Sequence, residues 1–114
     1  HKNIDKENLI LIKNFRSKLD KLNLIIKNLE IKPIFINQLM YDGLKDKKLF
    51  LVNNELKNFA LENNYYLIPL DEILNMKQND YFDAAHTTPQ GSKRIADKVF
   101  PFLLEFFKEN NEIN

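Results

Sequence analysis

The chain has 114 residues, 44% of them hydrophobic and 29% charged, which fits one small domain or a large piece of one and excludes a disordered or fibrous polymer. Lysine plus arginine total 17 and aspartate plus glutamate 16, a net charge of +1, so no general electrostatic drive points to nucleic acid or an acidic membrane surface. Cysteine is absent and His1 and His86 are the only histidines, which excludes a disulfide framework and leaves no metal constellation; no apolar run approaches the ~20 residues of a membrane-spanning helix.

From Ile4 to Leu29 the apolar residues Ile12, Phe15, Leu19, Leu22, Ile26 and Leu29 step by three and four, which predicts a helix with one buried face rather than a short coiled coil. Lys32–Asn37 is short, apolar and β-branched with Pro33 at its start, the pattern of a buried parallel strand. Gln38–Lys48 reads as a loop around the turn pair Asp42-Gly43. Leu49, Val52, Leu56, Phe59 and Ala60 mark a second amphipathic helix that Asn63-Asn64 closes. Tyr65–Leu70 is a second strand, and Pro69, which lacks a backbone donor, suits a sheet edge or a strand end. Asp71–Met76 reads as a short helical turn or loop. The last helix has the clearest start, with Thr88 as its cap and Pro89 in its first position. Ile95, Val99, Phe100, Leu103, Leu104 and Phe107 form its expected buried stripe, and Pro101 is expected to kink it or split it in two. Residues 110–114 read as a frayed tail.

No hairpin signal separates the two strands, so they are expected to be parallel, joined by a right-handed crossover. Two strands and three main helices leave both sheet faces and a strand edge open. The layout therefore asks for further strands, from more of the same domain or from a partner, and residues 1–114 are read as a single partial domain. The chain opens on His1 rather than Met and shows no signal peptide, so its natural start is expected upstream.

The residues that carry chemistry lie in Asp80-Tyr-Phe-Asp83-Ala-Ala-His86-Thr-Thr-Pro-Gln-Gly91-Ser-Lys-Arg-Ile-Ala96. A general base must reach its proton and also be held in orientation. A loop leading into a capped helix does both, and Ala84 and Ala85 are small enough for Asp83 to turn back on His86. A carboxylate bonded to one imidazole nitrogen sets the tautomer and stabilises the imidazolium, which is the base and orienter of a Ser-His-Asp site. The plainer alternative is a surface histidine beside a capping loop.

Strand, loop, Asp83-Ala-Ala-His86-Thr-Thr-Pro-Gln-Gly91 and a helix carrying Ile95-Ala96 together resemble the closing motif of the SGNH hydrolases, the GDSL lipases and esterases. The likeness covers about residues 30 to 108 and is sharpest over 80 to 100. It implies a three-layer α/β/α sandwich with a parallel, flavodoxin-like sheet, of which this chain would be the C-terminal part. It also assigns His86 and Asp83 as catalytic. The family's Gly-Asp-Ser nucleophile motif and its oxyanion-hole Gly and Asn have no counterpart in this chain.

The other candidates have plainer explanations. Ser17 and Ser92 are the only serines, and both fall within predicted helices without a strained strand-to-helix elbow. Asp80 is a second possible orienter, less suited by its six-residue separation from His86. Asn37 and Gln38 end a strand, where open parallel sheets bind ligands, and are candidate substrate-binding residues. The Thr87–Ser92 helix start, with Lys93 and Arg94, could hold an anion, but lacks P-loop glycines. A helix-turn-helix reading fits poorly with the near-neutral charge.

The resulting expectation is the C-terminal part of a serine ester hydrolase. It takes an ester substrate, needs no cofactor and no metal, is inactive by itself, and is completed by the N-terminal part of the same domain. Neither nucleic acid nor a membrane span is expected, and an intertwined homo-oligomer is compatible with a truncated sheet. The alternative is a non-catalytic α/β module that binds a partner through its open sheet edge.

Overall fold

A computed structural model describes residues 5–39, 46–83 and 86–110. The elements run α1 (Lys6–Asn28), β1 (Ile34–Ile36), α2 (Lys47–Asn63), β2 (Tyr66–Ile68), α3 (Leu70–Ile73), a 3-10 turn (Gln78–Asp80) and α4 (Pro89–Glu109). The chain is mixed α/β and mostly helical, with β1 and β2 paired in a two-stranded parallel sheet. Both strands are three residues long, shorter than expected, and Pro69 lies just past the end of β2 as the N-cap of α3. The Asp42-Gly43 turn, Ala84-Ala85 and residues 111–114 of the expected tail lie outside the described residues. No helix among the described residues is long and apolar enough to cross a membrane.

The residues group into two compact units, His1–Phe35 with Asp46–Leu67 and Ile36–Lys45 with Ile68–Asn114. In the first, α1 packs on α2. Asp5 caps α1 by accepting from the Asn8 N–H at 2.8 Å, which satisfies a donor that no helical carbonyl can reach. Leu19 and Ile26 are buried, whereas Leu22 and Leu29 of the expected stripe are 42% and 60% exposed. Steps of three and four drift against a 3.6-residue turn and carry these two leucines to the trailing flank.

Helix α2 begins at Lys47, inside the segment read as loop, because Asp46 accepts from the N–H groups of Lys48 and Leu49 at 2.9 and 3.2 Å. It ends where expected, with Asn64 in the left-handed region at φ 57°. The core of this unit is Leu19, Leu56 and Phe59, with Phe15, Phe35, Tyr65 and Leu67 packed against it. Phe35 meets Phe59 edge to face at 5.7 Å, a favoured arrangement of ring quadrupoles. Arg16 lies over the Phe59 ring and bonds Asp20, Glu55 and Glu62. Burial lowers the Arg16 pKa, but the carboxylates of Glu62 and Asp20 raise it by more.

In the second unit Thr88 caps α4 as the sequence predicts, accepting from the Gly91 N–H at 3.1 Å, with Pro89 in the first position. Pro101 does not split the helix, which runs unbroken to Glu109. Pro101 and Asp97 are both exposed, so the Asp97 carbonyl, deprived of its i+4 donor, can turn to water. The buried line differs from the expected stripe. Phe100 is 58% exposed, while Val99 and Phe106 are buried. Each residue turns a helix by about 100°, so Phe100 cannot share the face of Val99.

Candidate active site

Between the 3-10 turn and α4, Tyr81 and Phe82 pair antiparallel with His86 and Thr87 as the two arms of a small hairpin, a local structure the sequence did not announce. Tyr81 and Thr87 form its bridge. The Phe82 N–H donates to the His86 carbonyl at 2.7 Å, and the Thr88 N–H donates to the Asp80 carbonyl at 2.8 Å. Among the described residues, Asp83 and His86 therefore lie farthest from the neck, at the tip end, and Asp80 and Thr88 close the neck. The Thr88 hydroxyl adds a bond to the Asn79 carbonyl at 3.2 Å.

At the tip the Asp83 carboxylate bonds twice to His86. Oδ1 accepts the backbone N–H at 2.8 Å, and Oδ2 lies 2.7 Å from ring Nδ1. One oxygen thus fixes the backbone of the turn and the other fixes the ring, which favours the tautomer carrying its proton on Nδ1. The imidazole is 81% exposed, leaving Nε2 open to solvent with no protein partner among the described residues. An acceptor nitrogen held this way can take a proton from an approaching hydroxyl and return it.

The two serines are elsewhere. Ser17 is an exposed residue of α1. Ser92 lies in the first turn of α4, where its hydroxyl is 2.7 Å from that of Thr87; it makes no hydrogen bond to His86. Asp80 does not orient His86. Its carboxylate is buried and binds the Lys77 N–H at 2.8 Å and the guanidinium of Arg94.

Asn37 and Gln38 follow β1 and line an open cavity of about 320 Å³ with Ile36, Leu39, Leu70, Tyr81, Thr87 and Ile95. Thr87 links this cavity to the hairpin. Asn37 is 2% exposed, and its amide is engaged at both ends: Nδ2 donates to the Asp71 carboxylate at 2.7 Å and Oδ1 accepts the Asp71 N–H at 3.1 Å. This reciprocal pair ties the end of β1 to the start of α3. Gln38 is exposed at the rim. Among the described residues no group of three acidic or imidazole side chains could hold a metal ion.

Sequence reasoning missed the contribution of Gly91. A Cβ at that position would lie 2.1 Å from the Asp80 carbonyl oxygen, so only glycine lets the first turn of α4 approach the hairpin neck. One of just two glycines in the chain, placed inside a helix where it costs about 1 kcal/mol relative to alanine, was the available signal. The Asp80–Arg94 pairing left no such trace, because its partners are fourteen residues apart on different elements. Compared with known proteins, the chain has no significant match to a family model, a curated protein or a solved structure.

Proposed function

We propose that this chain supplies the general base and its orienting carboxylate to an SGNH-type serine ester hydrolase. The supporting observation is the 2.7 Å contact between Asp83 Oδ2 and His86 Nδ1 on an exposed hairpin tip. In this reading the parallel pair β1–β2 and its helices are the C-terminal part of a three-layer α/β/α sandwich with a flavodoxin-like sheet. The nucleophilic serine comes from outside the chain. Its Oγ attacks the ester carbonyl while His86 Nε2 takes the hydroxyl proton; the imidazolium, stabilised by Asp83, then protonates the departing alkoxide. Water attacks the acyl-enzyme by the same route in reverse, releasing the acid and restoring the serine. Asp83 stays ionised throughout, and no cofactor takes part.

A fluorophosphonate probe, which labels an activated serine, tests this on the complete protein. The expected result is a labelled serine outside residues 1–114 and loss of labelling in His86→Ala. An unlabelled protein, or labelling indifferent to His86, would remove the hydrolase reading. The interaction module would then be favoured, supported by the 43% exposure of Ile36 in β1 and by a sheet of only two strands among the described residues.

A further inference from the structure

Asp80 is 1% exposed, and a carboxylate is buried to that degree only with charge and hydrogen-bond partners. Its Oδ2 accepts from the Lys77 N–H at 2.8 Å and pairs with the Arg94 guanidinium on α4. The other arm of Arg94 donates to the Asn75 carbonyl at 2.8 Å, so one guanidinium grips the chain ahead of the 3-10 turn and at its last residue. The Asp80 backbone is held as well. Its carbonyl accepts from the Thr88 N–H at 2.8 Å, and Gly91 sits against it with no room for a Cβ.

All of these contacts act at the neck of the hairpin. The tip behaves differently: the His86 ring is 81% exposed and Asp83 is 58% exposed, so packing does little to hold either. A short hairpin transmits the geometry of its base to its tip through the Tyr81–Thr87 bridge and the Phe82–His86 bond. With Asp80 buried and Arg94 33% exposed, the pair is screened less than a fully exposed one. We infer that the ion pair between Asp80 and Arg94, together with the packing of Gly91 against the Asp80 carbonyl, is the positioning device that keeps the His86 ring on Asp83. Asp80 and Arg94 touch neither the imidazole nor a reacting atom, and so are positioning residues. Their catalytic consequence rests on the hydrolase reading; their structural one does not.

The test is nitrogen-15 NMR of the His86 ring in the full chain, at a pH above the ordinary histidine range, with His86→Gln used to separate its signals from those of His1. An unconstrained neutral imidazole favours the proton on Nε2, whereas an acceptor at Nδ1 draws it there. The wild-type chain is expected to show mainly the Nδ1–H tautomer. Asp80→Asn and Arg94→Gln should both return it to mainly Nε2–H while the far-ultraviolet circular dichroism is retained. If both variants keep the Nδ1–H tautomer, the positioning role is wrong and the hydrolase reading is untouched. If the wild type itself lacks that tautomer, the Asp83–His86 contact fails and both readings fall. Should Asp80→Asn or Arg94→Gln unfold, Arg94→Lys decides on the same readout: it keeps the charge and is expected to give an intermediate tautomer ratio. Unfolding of Arg94→Lys as well would assign the pair to global stability and overturn the inference.

Discussion

At the residue scale, the decisive pair is Asp83 and His86. A carboxylate whose two oxygens are divided between a backbone N–H and a ring nitrogen holds the imidazole by position and by charge. Asparagine can mimic the first and not the second. On the proposed hydrolase reading, Asp83→Asn in the complete protein is expected to lower kcat on a p-nitrophenyl ester by about 10³- to 10⁴-fold, with KM nearly unchanged. A rise in KM alone would assign Asp83 to binding. Gly91 makes a separate prediction. Alanine there gains helix propensity but must push its methyl into the Asp80 carbonyl, a backbone atom that cannot rotate away. Gly91→Ala should destabilise the fold by about 1–3 kcal/mol, read as a lowered Tm, with the largest amide shifts in Asp80 to Thr88.

At the element scale, helix ends decide more than helix middles. Asp5, Asp46 and Thr88 each satisfy an orphan N–H with a side-chain oxygen, and each such cap is worth about 1 kcal/mol. At the other end of α1, Glu30 takes φ 54° while the Ile31 N–H reaches the Ile26 carbonyl at 3.0 Å. This reversal suits glycine and strains a residue with a Cβ. Glu30→Gly is expected to raise stability by up to about 1 kcal/mol, measured by chemical denaturation with an unchanged m-value. The α4 start was legible because Thr88 and Pro89 are local signals. The α2 start was missed by two residues because Asp46, its cap, lies next to a turn pair that reads as loop. The hairpin was missed because its bonds join residues whose side chains carry no strand or turn pattern.

At the scale of the whole molecule, the net charge of +1 makes a direct prediction. A chain without a basic excess releases few counterions on a polyanion. Fluorescence anisotropy with a labelled DNA duplex at physiological salt should therefore show no saturable binding. Tight binding that falls steeply with added salt would revive a nucleic-acid role.

Periodicity, strand composition and caps determined the order of the main helices and strands and the mixed α/β class, and the sequence itself sets Asp83 three residues from His86. Those features depend on residues within a turn or two of one another, and such information is written linearly. Only the tertiary structure decided that Asp80 turns to Arg94 instead of His86, that Asn37 spends its amide on Asp71, that Phe106 rather than Phe100 is covered, and that Gly91 is required by a carbonyl eleven residues earlier. Each of these depends on which surfaces meet, and a side chain's partner across space is fixed by packing and desolvation, which no spacing rule encodes.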